Sequence, residues 1–460
     1  MNLNTMSAAA CIVAVTGLLA TPALADQSQD LTDFRNCVYS ATGPQWNSST
    51  QTCTLPYYST PYMISSSISI NSSSVRYISS GSGGTAQTWP QATLMRDVSS
   101  VGSSGDAFDI MNANSNASNL LIESLIFDGN RGGTTSGGTT YLLCITPSQY
   151  TGPWIDLNLS LAGYSAPTAN SGVNVEDVTF NNSPNWGLDL GPYSYVYWSW
   201  FYYARQAAVF AQSNDIIDDN VMDYNGTGAI DVAGNNILVE YNSLYHNHDE
   251  WMFTQPGGQI FVDAGYSGFT IISNDIDGGS AYCNSSCSQV VTTAGNQYCY
   301  PPGGHMLYTL GIEMYSPTGI LTNNELKYHS GAGLYTGFID GTGLTGGAIT
   351  LSEYDPNLPT TDYYIENNSG DGVQLNNIQA TGGAAQWGGA FSFTDLRSRN
   401  NGCSGCNAYG FRWKATSGQV ASGTTLSWGT GNSACLTGNT TGATSLPSGF
   451  SGPGSTNTCP

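Results

Sequence analysis

Basic residues are scarce in this chain. Ten Lys plus Arg stand against 32 Asp plus Glu, a formal net charge of -22, and charged residues of every kind make up only 9% of the 460. Between Gly132 and Leu396 the fixed cations are Arg205 and Lys327. Phosphate backbones are held by cations that release counterions, so nucleic acid is excluded as a partner and polyanionic glycans are disfavoured. Long apolar runs are missing too. Beyond the first 25 residues nothing approaches the roughly 20 apolar residues of a membrane span. A sustained 3.6-residue apolar period is absent, which excludes a mainly helical protein. So are the P-loop, the dinucleotide fingerprint and the serine-nucleophile elbow, with the reactions they serve. Because charge density is low, the acidity does not describe a disordered tail but a surface rich in Ser, Thr, Asn, Gly and Tyr.

What is present begins with a leader. Ala8 to Ala20 is apolar, Pro22 breaks the run, and Ala23-Leu24-Ala25 fits a small-residue cleavage site, although no Lys or Arg precedes Arg35. Residues 1–25 therefore read as a secretory signal, and the protein is expected outside the cell. Of 11 Cys, removal of Cys11 with the leader leaves an even ten, which suits an oxidising compartment. Cys37 with Cys53 and Cys435 with Cys459 are the natural near-neighbour pairs. Cys283, Cys287 and Cys299 form a local set, Cys403 and Cys406 can close a tight loop, and Cys144 has no local partner.

One short helix is expected over Leu31 to Ser40, capped by Thr32 and carrying Phe34, Val38 and Tyr39. Strand-like pieces follow, and from about Asn174 they repeat. One half-motif is acid-or-Asn, any residue, apolar: Glu176-Asp-Val178, Asn220-Val-Met222, Asn242-Ser-Leu244, Asn274-Asp-Ile276 and Asn324-Glu-Leu326. The other is small-apolar-x-apolar: Gly187 to Leu190, Ala208 to Ala211, Ala229 to Val232, Gln259 to Val262, Gly311 to Met314 and Gly333 to Thr336. A period near 22 residues with short strands and Asn-rich turns predicts a β-solenoid, since no single coil can bury its own apolar side. The expected organisation is a coil stack over 26–380, then a C-terminal cap and a Ser/Thr/Gly-rich, disulfide-bearing tail over 381–460.

The order of the N-terminal pieces carries a resemblance. The helix, then "TLPYYSTPYMI", "SISINSSSVRYISSGSGG", "ATLMR" and "LLIESLIFDGNR", is similar to the start of pectate-lyase-like proteins. The resemblance runs from about Leu31 to Leu375 and implies an all-β, right-handed parallel β-helix with a short capping helix, and dealings with carbohydrate. Within that superfamily, "SPNWGLDLG" from Ser183 to Gly191 resembles the first catalytic strand of polygalacturonase-like hydrolases. Trp186 and Gly187 stand where that pattern has an acid, no paired Asp opens the Ala229 strand, and no Gly-His-Gly or Arg-Ile-Lys follows. Galacturonan is therefore not the implied substrate.

The repeat itself places candidate chemistry. In small-apolar-x-apolar strands the apolar residues point inward and x points out, so stacking lines up Asp189, Phe210, Asp231, Phe261, Glu313 and Tyr335. Carboxyls two coils apart are roughly 9.5 Å from one another, at the upper end of the separation used by inverting glycosidases. Asp189, Asp231 and Glu313 are the candidate acid and base. Phe210, Phe261, Tyr315, Tyr335 and Trp251 are candidate surfaces for sugar rings. The polar run His246-Asn-His-Asp-Glu-Trp251 precedes the Gln259 strand, so His248, Asp249 or Glu250 could overhang Asp231 as proton shuttle. As a single strand, Tyr193 to Tyr203 would send Tyr195, Tyr197 and Phe201 to one side and Trp198, Trp200 and Tyr202 to the other.

Three functions stay open at this level. A glycoside hydrolase acting on a neutral or weakly charged polysaccharide needs no cofactor. A polysaccharide lyase would call for Ca²⁺, with Asp215, Asp218, Asp219 and Asp223 as oxygen donors and Arg205 or Lys327 as base. A non-catalytic adhesin or glycan-binding solenoid would need neither.

Overall fold

The computed structural model describes residues 26–72, 75, 77–80, 90–97, 108–115, 117, 119–130, 157–161, 172–204, 206–247, 257–278, 292–293, 296–297, 309–315, 318–329, 331–336, 347–352, 364–368, 370–376, 389–394, 396–402, 408–415, 420, 423–428 and 434–456. The expected leader and the cysteines at 144, 283, 287, 299, 403, 406 and 459 lie outside them.

Each coil but the last uses three short strands. Tyr195–Tyr197, Trp200–Tyr202 and Ala207–Ala211 make one coil, and Ile216–Asp218 begins the next. The first strand of every coil pairs with the first strand of its neighbours, the second with the second and the third with the third. The result is three long sheets, termed I, II and III, with 13, 11 and 12 strands among the described residues. All their ladders are parallel except Trp46–Asn47 against Thr52–Leu55. With the right-handed crossover that parallel strands adopt, this is a right-handed parallel β-helix, the fold the resemblance implies.

Alternation of side chains fills the inside. Val196, Phe201, Val209 and Ala211 of one coil are fully buried, as are Ile217, Met222, Ile230 and Val232 of the next. Equivalent residues stack: the rings of Phe127, Phe180 and Phe201 lie parallel with centroids 5.3 and 4.6 Å apart. The apolar surface so removed from water drives the coils together, at about 25 cal/mol per Å².

The corner between sheets I and II explains the Asn half-motif. A residue with positive φ (Trp198, Asp219, Tyr241, Ser273, Asn323) is followed by a polar one (Ser199, Asn220, Asn242, Asn274, Asn324). Asn220, Asn242, Asn274 and Asn324 form a buried ladder, each Nδ2 donating to the next Oδ1 at 2.9–3.0 Å and to the backbone carbonyls of the turn. A second ladder, Asn368–Asn401–Asn439, lies at the corner between sheets II and III. These side chains satisfy backbone groups that a tight corner would leave buried without partners.

Several expectations change. The helix α1 runs Gln27–Ser40, and Asp26 rather than Thr32 caps it, accepting from Ser28 N at 3.0 Å. Thr32 lies inside the helix, its hydroxyl donating back to the carbonyl of Ser28. Phe34, Cys37 and Val38 are its buried face while Tyr39 is exposed. Glu176-Asp-Val178 is two residues out of register with the other half-motifs, because Val178 occupies the place of Asn220. A shift of two preserves which side chains face inward, so pattern alone does not reveal it. The aromatic stretch is two strands rather than one. Trp198 and Ser199 form the corner, so Tyr195 and Tyr197 lie outside sheet I and Trp200 and Tyr202 outside sheet II, with Val196 and Phe201 in the core. The sheets also run on past residue 380. Gly389–Thr394, Ser398–Arg399 and Tyr409–Lys414 pair in parallel with the preceding coils, around a core of Phe391, Phe393, Phe411, Trp413 and Trp428. The Val/Ile rhythm fades there because aromatic rings take over the interior. Cys37 and Cys53 are bonded as expected, tying the helix to the first coil, and Cys435 is also disulfide-bonded.

Candidate active site

Sheet III carries the candidate residues of the row. Strand register sets Asp189 beside Phe210, Phe210 beside Asp231, Asp231 beside Phe261, Phe261 beside Glu313 and Glu313 beside Tyr335. The six positions read from the repeat thus form one unbroken row. It continues through Asn112 and Ser160 below, and through Gln374 and Arg412 above. Side chains on either side of each member in sequence, such as Leu188, Leu190, Ile230 and Val232, are buried without exception. Two rungs separate Asp189 from Asp231 and Asp231 from Glu313, roughly 9.5 Å in each case by the spacing of strands.

The three carboxyls have different surroundings. Asp189 is half-buried and its pKa is raised to about 6, chiefly by loss of water, with Asp109 adding repulsion and the Gln212 amide, 3.5 Å away, opposing the rise. Asp231 stands between two phenylalanines and is raised to about 7, by desolvation first and then by the charge of Asp263. Glu313 is also raised to about 7 by burial. The sequence expectation put it on the exterior, yet it is only 2% exposed. Its two oxygens are already occupied: Oε2 accepts from Gly258 N at 3.0 Å and Oε1 from the Tyr315 hydroxyl at 2.5 Å. Gly258 is required for this, since a Cβ there would lie 2.7 Å from the Glu313 Cβ.

Aromatic rings sit between and beside the acids. Phe261 packs against Tyr315 with centroids 5.5 Å apart, and Trp186 lies 4.8 Å from Phe210. In the sequence Trp186 stands out only as a departure from the polygalacturonase-like pattern. Its packing on the row joins residues 24 apart (210 minus 186), which no local pattern reveals.

Other candidates are not brought together. His248, Asp249, Glu250 and Trp251 lie outside the described residues, as does Arg205. His246 turns toward sheet II, its Nδ1 2.8 Å from Asp223 Oδ1 and its ring tilted against Tyr224. The four aspartates proposed for Ca²⁺ diverge. Asp215 is buried at the corner between sheets III and I, accepting from Ser194 N and Gln212 N. Asp218 lies on sheet I with the Tyr195 hydroxyl, Asp219 at the next corner with the Trp198 indole, and Asp223 on sheet II. Among the described residues no group of three such side chains could hold a metal. Lys327 is on sheet II, clasped by Asp275 at 3.0 Å and Glu325 at 3.1 Å. In the sheet III row the cation is Arg412, three rungs or about 14 Å beyond Glu313.

No protein-family model and no curated protein matches the sequence. Solved structures do resemble its fold. The A-module of the mannuronan C-5 epimerase AlgE4 of Azotobacter vinelandii is similar with a TM-score of 0.44 and 13% identity, over 89% of this chain and 91% of that one. A periplasmic alginate epimerase, AlgG, gives 0.39 and 12% over 87% and 78%. The catalytic unit of a GH87 α-1,3-glucanase from Streptomyces thermodiastaticus gives 0.33 and 11% over 90% and 65%. At these scores no chemistry passes from them to this chain.

Proposed function

We propose that the protein is an inverting glycoside hydrolase acting outside the cytoplasm on a neutral or weakly charged polysaccharide, with Asp231 as general acid and Asp189 as general base. The observation that carries the reading is the row itself: two carboxyls two rungs apart on one sheet, with Phe210 between them. Inversion needs room for a water between the base and the sugar, and roughly 9.5 Å provides it where about 5 Å would not. Their unlike proton affinities support the division of labour. Between about pH 6 and 7 Asp189 is ionised and can draw a proton from water, while Asp231 still holds a proton for the departing oxygen. Glu313, with both oxygens occupied, orders this face rather than reacting. Phe210 and Trp186 offer ring faces to the C–H face of a pyranose.

The charge of the chain and the position of its cations favour this over the lyase. A uronate-cleaving site needs a base and a counter-charge beside the acids, whereas Lys327 is tied down on another sheet. The Cys37–Cys53 disulfide suits an oxidising compartment, and among the described residues no helix is long and apolar enough to cross a membrane.

Incubation with a panel of neutral polysaccharides and, beside them, the uronate polymers alginate and polygalacturonate, followed by assays for new reducing ends and for 4,5-unsaturated products, tests the reading. New reducing ends without unsaturation, lost in Asp189→Asn and Asp231→Asn, are expected. Unsaturated ends would establish the lyase, and intact polymer throughout would leave a binding protein.

A further inference from the structure

A second site lies on sheet II, away from the row of acids. There a groove of about 660 Å³ is floored by one in-register row, Thr93, Ile126, Thr179 and Trp200, three strand spacings or about 14 Å long. Tyr202, from the same strand as Trp200, extends the floor, and the segment Tyr57–Ser59 with Gln91 forms the walls. Those walls are held in place. The Tyr58 hydroxyl donates to Asp30 Oδ2, its ring meets Tyr62 edge-on at 5.6 Å, and Gln91 Nε2 donates to the carbonyl of Asp177 at 3.0 Å. Tyr57 is 44% exposed at the rim. A volume of this size lies in the range of pockets that take small organic ligands.

The lining restricts the occupant. Four aromatic rings supply flat apolar faces, while Gln91, Thr93 and Thr179 supply uncharged polar groups, and among the described residues no Lys or Arg lines the groove. The charged side chain at its edge among the described residues is a carboxylate, Asp177, which repels an anionic ligand. The floor strands already spend their backbone groups on one another, so an extended peptide cannot add to the sheet. A lipid chain would strand the amide and hydroxyl groups between the rings. A pyranose has the matching surface, with C–H faces to lie on rings and a rim of hydroxyls to meet amides and hydroxyls.

We infer that this groove binds a neutral oligosaccharide segment, about two to three pyranose rings long, at a face distinct from the row on sheet III. The inference stands independently of the hydrolase reading, because a binding protein would use it equally.

Affinity electrophoresis of the full chain in gels containing a soluble β-glucan, an α-glucan, a galactomannan or an arabinoxylan tests it, with alginate and polygalacturonate as anionic controls. Asp231→Asn protein prevents digestion during the run. Retardation by at least one neutral polymer is expected, with the apparent affinity falling at least tenfold in a Trp200→Ala/Tyr202→Ala variant of native circular dichroism. If that variant fails to fold, Tyr57→Ala and Gln91→Ala, both in the walls, replace it and are each expected to weaken binding several-fold. Binding that survives the groove substitutions, preference for an anionic polymer, or no retardation by any neutral one overturns the inference. Hydrolysis on sheet III is scored separately, by reducing ends, so the two readings fail independently.

Discussion

Asp189 and Asp231 project from the same face of sheet III with one strand between them, and the side chain that strand contributes is Phe210. An acid, a ring and an acid in vertical order place two proton-exchanging groups at the ends of a surface a sugar ring can lie on. Desolvation by the same packing lifts both carboxyls out of the ordinary range, Asp231 further than Asp189.

The first consequence is a pH profile. The base must be ionised and the acid protonated, so kcat/KM should rise as pH passes upward through about 6 and fall beyond about 7. Initial rates from pH 4 to 9 on a responsive neutral glycan check this. In Asp231→Asn the alkaline limb should vanish together with most of the activity, a loss on the order of a hundredfold or more.

Stability should follow pH in a stated direction. Asp231 and Glu313 have folded-state pKa values of about 7, well above the ordinary carboxylate range of about 4. Below that ordinary value the folded and unfolded chains are both protonated and the contribution is fully present. It is lost as pH rises through about 7, where the native state must bury charge or release it by unfolding. Urea midpoints should therefore drop from pH 5 to pH 8, and Asp231→Asn/Glu313→Gln should flatten that drop and exceed the parent protein at pH 8.

The Asn ladder should hold the coils. Asn242 is 1% exposed; its Nδ2 serves the carbonyls of Ile217 and Glu240 and the Asn274 oxygen, while its Oδ1 receives both Asn220 N and Asn220 Nδ2. Asn242→Ala leaves several buried groups without partners, at about 1–3 kcal/mol each, so a loss of at least roughly 3 kcal/mol is expected by chemical denaturation. Asn235→Ala, at an exposed turn, should cost far less.

Gly258 should be intolerant of any side chain. A methyl there meets the Glu313 Cβ and the carbonyl of Ile260, so Gly258→Ala must displace Glu313 and break its bond from the Gly258 N–H. Activity should fall and the Tyr315–Glu313 pair should loosen, visible as a lowered apparent pKa of Tyr315 in ultraviolet titration. Burial is the chief cause raising it, and that direction follows because the Glu313 charge and hydrogen bond add to the rise.

Much of this architecture was legible because a solenoid converts sequence period into vertical contact. The period of the small-apolar-x-apolar strands is enough to define the row from Asp189 to Tyr335. Several things escaped. The two-residue slip at Glu176 was hidden because period two is unchanged by it. The division of Tyr193 to Tyr203 into two strands turns on Trp198 taking positive φ, which a bulky residue seldom does. The burial of Glu313 depends on Gly258 and Tyr315, one brought in from the neighbouring coil and one facing back from two residues later. The groove on sheet II was missed for a related reason. Its floor and walls come from five separate segments, and only the in-register stacking of Thr93, Ile126, Thr179 and Trp200 makes them one surface.

The most direct test of the paired-carboxyl account is the anomeric configuration of the first product, followed by proton NMR during the opening minutes of hydrolysis of a neutral glycan. Acids two rungs apart require the released sugar to carry the configuration opposite to that of the bond cleaved. A first product that keeps the original configuration would contradict the account, since retention demands a carboxyl close enough to attack the sugar itself.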